Sequence, residues 1–164
     1  MIKKILLLGL FVLTIQFSFG QDVFRKGKTG IDIGGGFRTI GNSAYGGNFR
    51  IERSVSKIMR IGYLGIGVNG DLLIPIEGDM IGKIIPSATL RATYHAGFFR
   101  TKVLDVYSGV GIAASKKETP VSYLFHPDIF LGFRTKFSKS GKVGFFAELG
   151  YFAANYKAGL CFIL

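Results

Sequence analysis

Ser122, His126 and Asp128 stand within one short stretch and have the types of a nucleophile, a general base and an orienting acid. Such a set hydrolyses or transfers an acyl group when nucleophile and base converge to within ~3 Å. Pro127 interrupts the local periodicity, and Ser and Asp are ordinary loop residues, so the expectation here is no catalytic site. A lipid-modifying enzyme is carried only as an alternative. The histidines His95 and His126 and the lone Cys161 are far apart in sequence and form no close ligand cluster, so neither a metal nor a cofactor is expected.

A second, larger set of reactive side chains is ionic: Asp32, Arg50, Glu52, Arg91, His95, Asp105, Arg134, Lys136, Glu148 and Lys157. Each falls on one side of a period-two alternation, opposite an apolar side. Glu148 and Arg134 share a face on consecutive predicted strands, as do Asp105 and Arg91, and opposite charges across neighbouring strands stabilise each other. This pattern predicts an interior network of paired charges. A narrow conduit gated by these pairs is the functional alternative, with His95 as a group able to respond to pH near neutrality.

The elements that position these charges are strands. Ala88, Leu90, Ala92, Tyr94 and Ala96 oppose Thr89, Arg91, Thr93 and His95. The same alternation runs through Leu104–Ile112, Ile129–Phe137, Val143–Tyr151 and Tyr156–Leu164, giving five strands in the second half. The first half adds three, around Ile31–Phe37, Tyr45–Glu52 and Tyr63–Asn69, the last with a register open to a bulge. The total of eight is even. Connectors at 54–57, 99–102 and 138–142 read as short, those at 70–85 and 113–126 as long. Short turns at one end and longer loops at the other suit an outer-membrane barrel. Both long connectors are candidate surfaces for a host or other surface partner.

At the N-terminus, Lys3 and Lys4 precede an apolar run from Ile5 to Ile15 and a small-residue exit at Ser18, Phe19 and Gly20. This predicts a secretory signal over 1–20 and one domain over 21–164. The formal charge of +11 falls to about +9 when Lys3 and Lys4 leave. Export removes the nucleic-acid reading of that charge, which fits anionic lipid headgroups at strand ends or pairing within a barrel. One cysteine permits no internal disulfide, so packing or closed backbone pairing must hold the domain together.

The fold class expected is all-β, an eight-stranded antiparallel transmembrane β-barrel located in the cell outer membrane. Inside hydrocarbon every backbone N–H and C=O must pair within the protein, so only a closed sheet enters. The apolar faces are rich in aromatics and too bulky for an eight-stranded interior, whereas glycines on the charged face leave room for long arginines. Tyr45, Tyr94, Phe98, Phe99, Phe137, Tyr151 and Tyr156 lie near strand ends and suit interfacial girdles. A soluble lipocalin-like barrel, with an oily cavity and charges outside, is the structural rival.

Residues Leu104 to Gly111, Phe125-His126-Pro127 and Val143 to Tyr151 together resemble Bacteroidetes outer-membrane β-barrel proteins of the OmpA/OmpX-like type. The good match covers about residues 88 to 164. The resemblance implies an eight-stranded barrel with periplasmic termini, outer-membrane lipid and the barrel-assembly machinery as partners, and no shared catalytic activity. The chain departs from the pattern in ending Phe162-Ile163-Leu164 rather than on an aromatic residue. Taken together, the reading is a non-enzymatic outer-membrane barrel with a structural or surface-binding role.

Overall fold

The computed structural model describes residues 23–39, 43–58, 62–79, 81–96, 103–117, 122–151 and 155–164. The leader expected over 1–20 lies outside them, as do Phe98 and Phe99. Eight strands follow one another: β1 (Thr29–Arg38), β2 (Ala44–Ile58), β3 (Gly62–Pro75), β4 (Ile85–Ala96), β5 (Leu104–Lys117), β6 (Ser122–Lys136), β7 (Val143–Gly150) and β8 (Tyr156–Ile163). Each pairs antiparallel with the next, and β8 pairs with β1, so the sheet closes into a barrel. Closure satisfies the backbone groups that an open edge would expose.

The strands are staggered. From Lys28 beside Ser54, the partners run through Gly65, Thr93, Gly109, Phe130, Gly150 and Asn155 and return to β1 near Arg38. That is a shift of about ten residues along β1, and a stagger of this size tilts eight strands to roughly 45°. One end of the barrel carries the Val23–Lys28 segment and Leu164, where Thr29 and Leu164 exchange backbone hydrogen bonds of 3.1 and 2.8 Å. We call this the terminus end and the other the loop end.

The second-half strands begin or end where the alternation places them, but the connectors are shorter than expected. The loop read at 70–85 contracts to 76–84, because β3 continues through Asp71 to Pro75. The loop read at 113–126 contracts to 118–121, because β5 runs to Lys117 and β6 starts at Ser122. Connector lengths at the two ends therefore contrast less than the sequence suggested; the length resides in the β5–β6 hairpin, which rises past β7.

Pro127 shows why that extension is tolerated. The carbonyl of Ile129 accepts from the Tyr151 N–H, so Pro127, two residues away, directs its missing N–H to the same side. Pairing of β6 with β7 starts only at Phe130–Gly150, so no partner strand is left unserved at Pro127. The register of β2 against β3 shifts between Ser54 and Ser56, the bulge anticipated near the start of β3.

Glycines decide which interior side chains fit. A Cβ on Gly65 would stand 2.4 Å from Glu52 Oε1 and 3.0 Å from His95 Nε2, whereas one on Gly70, facing outward, would meet nothing within 4 Å. Gly65→Ala is therefore expected to lower stability by about 1–3 kcal/mol, and Gly70→Ala to leave it within about 0.5 kcal/mol. Urea midpoints of the two variants, refolded in the same detergent, check this; equal midpoints would contradict it.

Candidate functional site

Alternation and closure together carry one face of every strand into the barrel. Asp32, Arg50, Glu52, Arg91, His95, Asp105, Arg134, Glu148 and Lys157 are all buried there, each at most 6% exposed. Lys136 stands apart. It has the same strand parity, but it lies at the terminus end and its Nζ donates to the Lys139 carbonyl at 3.0 Å. As the last residue of β6 it sends its side chain to the β6–β7 turn, beyond the terminus-end limit of the network.

The lower half of the interior is a compact ionic cluster. Asp32 receives Arg134 from Nε and Nη2 at 3.2 and 3.0 Å, and is also paired with Arg50. Arg134 Nη2 donates to Glu52 at 2.6 Å, and Nη1 lies 3.5 Å from Asp105. His95 joins the same acids, with Nε2 2.8 Å from Glu52 and Nδ1 3.0 Å from Asp105. Both ring nitrogens face carboxylate oxygens, and only an imidazolium can donate to both. Asp32, Glu52 and Asp105 are then matched by Arg50, Arg134 and His95.

Glu148 organises the middle level. Arg91 grips it through two nitrogens at 3.1 and 2.7 Å, Arg50 Nη1 donates at 2.5 Å, and Lys157 Nζ lies 4.0 Å away. Tyr107 accepts from Arg50 Nη2 at 2.7 Å. Towards the loop end, Lys157 lies 3.2 Å from Asp71, which also accepts from Asn69 at 2.6 Å. Asp128 is 3.7 Å from Arg91.

Pair assignments differ from the sequence reading. Glu148 pairs with Arg91 and Arg50 rather than Arg134, and Asp105 with His95 and Arg134 rather than Arg91. The stagger is the reason: Arg134 stands opposite Asp105, while Glu148 stands opposite Gly132 on one side and Lys157 on the other. Two members were missed altogether. Asp71 was assigned to the long connector 70–85, and Asp128 lay between the connector 113–126 and the strand read from Ile129, yet the alternation Asn69, Asp71, Leu73 and the earlier start of β6 bring both inside.

Aromatic rings separate the cations. The Arg91 guanidinium carbon lies 3.3 Å from the Phe130 ring centre; that of Arg134 lies 4.7 Å from Tyr107 and 5.0 Å from Phe24. Phe24, from the segment before β1, also stacks on His95 at 4.2 Å and closes the terminus end. Tyr107, Phe130 and Phe146 shared the charged face in the alternation, so this signal was present; Phe24 precedes the first strand and gave none. Arg50, Arg134, Tyr107, Phe24, Phe146, His95 and Glu52 are sealed from solvent, so side chains fill the cross-section at their level.

The Ser122, His126 and Asp128 positions all fall on β6. On an extended strand the first two are about 13 Å apart along the backbone, and a relay at ~3 Å does not form from that spacing. Among the described residues no group of three or more His, Cys, Asp or Glu is placed to hold a metal ion. The search of family models and the search of curated proteins return no match to this chain.

Removing one member of the cluster leaves its partners buried and uncompensated, which typically costs about 3–5 kcal/mol. Lys157→Met, which takes from buried Asp71 its paired cation, and Arg50→Met, which takes one of the paired cations from both Asp32 and Glu148, are each expected to cost that much. Equilibrium unfolding of the detergent-refolded variants measures both; a loss below about 1 kcal/mol in either would contradict the pairing.

Proposed function

We propose that the chain is an outer-membrane barrel of the OmpA/OmpX-like type, non-enzymatic, with a structural or surface-binding role. The observation that carries the proposal is the inversion of the two faces. Outward side chains include Ile33, Ile66, Val68, Leu90, Val110, Ile112, Ile129 and Leu131, all about half exposed or more, while the ionic residues are sealed inside. Water outside such a surface would face a continuous apolar belt far larger than soluble monomers expose. Hydrocarbon removes that penalty, and the closed sheet pairs its backbone groups from strand to strand around the barrel.

Aromatic placement supports the same reading. Tyr45, Tyr151 and Tyr156 are exposed at the loop end, Phe137 at the terminus end, with Tyr94 near the terminus end of β4. These are positions for interfacial girdles. A lipocalin-like function needs an apolar cavity and a charged exterior, the opposite of this distribution. An open conduit needs solvent at the level of Arg50 and Arg134, where side chains fill the section.

The surface-binding part of the proposal rests on the connector 76–84. Ile76, Ile81 and Ile84 are exposed there beside Glu77 and Asp79, and Gly78 and Gly82 take positive φ values of 81° and 75° that shape the turn. Exposed isoleucines on a loop are a contact surface for a partner.

The test is fractionation of cells expressing the full chain, with electrophoresis of boiled and unboiled samples. The expected result is outer-membrane recovery and a heat-dependent change in mobility. Recovery in the soluble fraction, with one mobility, would overturn the proposal.

A further inference from the structure

The fold places more of the positive charge outside the lumen at one end than at the other: the loop end carries Lys83, half-buried Arg38 and, in the last two residues of β5, Lys116 and Lys117. Around the terminus end, Arg25, Lys26, Arg53, Lys57, Lys139 and Lys142 are exposed, with Lys28 and Lys136 half-buried beside them. Among the described residues the only exposed acidic side chains are Glu77 and Asp79, and both lie at the loop end. The other described acids are buried inside the barrel and face Arg50, Arg91, Arg134, His95 and Lys157. The terminus end therefore has no described acidic side chain available to neutralise its cations.

These cations also occupy a particular depth. Arg53 and Lys57 project outward on β2, at the terminus-end edge of the apolar belt, where they alternate with Ile51 and Val55, each 39% exposed. A long basic side chain rooted beside apolar residues lays its stem along the greasy surface and carries its charge to the polar boundary. Lys139 and Lys142 stand in the turn between β6 and β7, almost across the barrel from β2. The cations thus form a collar around the end rather than one patch.

We propose that this collar binds the phosphates of anionic phospholipids in the leaflet at the terminus end, and so selects lipid there more strongly than the loop end, whose exposed cations stand beside Glu77 and Asp79. The proposal rests on the lipid-embedded reading of the barrel and adds the lipid class and the leaflet. The complementarity is ionic: each basic side chain near an anionic surface strengthens attraction, and salt screens it within a Debye length of about 10 Å at 0.1 M.

The experiment reconstitutes the full chain in phosphatidylcholine bilayers carrying a trace of spin-labelled phosphatidylglycerol or, separately, spin-labelled phosphatidylcholine. Spin-resonance spectra give the fraction of each label held motionally restricted against the protein. The expected result is an association of phosphatidylglycerol about fivefold or more above phosphatidylcholine at low salt, falling towards one at 0.5 M salt. Replacing Arg53, Lys57, Lys139 and Lys142 together by Gln is expected to abolish the preference, and Lys83→Gln, at the other end, to leave it unchanged. Equal association of the two labels with the unmodified chain, or a preference that survives the fourfold replacement or high salt, would overturn the collar while leaving the barrel in lipid. No restricted component for either label would overturn the membrane reading itself, and the collar with it.

Discussion

An antiparallel strand cannot hide both of its faces when the sheet closes on itself. Everything in this molecule follows from which face goes inside. Eight strands enclose a space that side chains just fill, and here the residues that enter are arginines, carboxylates, a histidine and aromatic rings. Once those groups are inside, they must find one another, because an ion left unpaired in a dry interior costs several kcal/mol. Once the aliphatic faces are outside, they make the apolar belt on which the proposal of a lipid surrounding rests. Both consequences spring from one choice of register.

The interior meets its electrostatic demand by sharing partners. Arg50 joins Asp32 to Glu148, Arg134 joins Asp32 to Glu52, and His95 joins Glu52 to Asp105. No carboxylate in the lower cluster depends on a single cation, so the strands β1, β2, β4, β5, β6 and β7 are tied across the lumen as well as around the wall. Tyr107 and Phe130 place ring faces against guanidiniums, which lowers the cost of drying those cations. Glycines at 65 and 132 provide the space: a Cβ at Gly132 would stand 2.7 Å from the Tyr107 ring. The site is therefore a cross-brace for the barrel before it is anything else.

Much of this was legible in the sequence, for a physical reason. Period-two alternation is local, so Asp32, Arg91, Asp105, Arg134 and Glu148 were assigned to one face from neighbouring residues alone, and eight strands were counted. Partner choice was not legible, because it depends on a stagger that accumulates around the whole barrel; Glu148 met Arg91 and Arg50 rather than Arg134 for that reason. Strand ends were hidden by turn-like residues. Pro127 mimicked a break although it sits where β6 has no neighbour on that side, and Gly70-Asp71 mimicked a turn although the strand continues to Pro75. Asp71 and Asp128 were lost to the network with them. The gathering of basic residues at one end was also invisible, since Arg25, Arg53 and Lys142 are remote in sequence and come to the same end only through closure.

The central claim, that hydrocarbon covers the apolar face while ions fill the lumen, is tested most directly by nuclear Overhauser contacts to lipid chains. With the chain refolded in deuterated-headgroup phospholipid micelles and its methyls labelled, the acyl chains should contact Ile33, Val68, Leu90, Ile112 and Leu131, and these methyls should show no contact to water. Water contacts at those methyls, with acyl-chain signals reaching Tyr107 or Phe146 instead, would mean that the faces are reversed and would contradict the account.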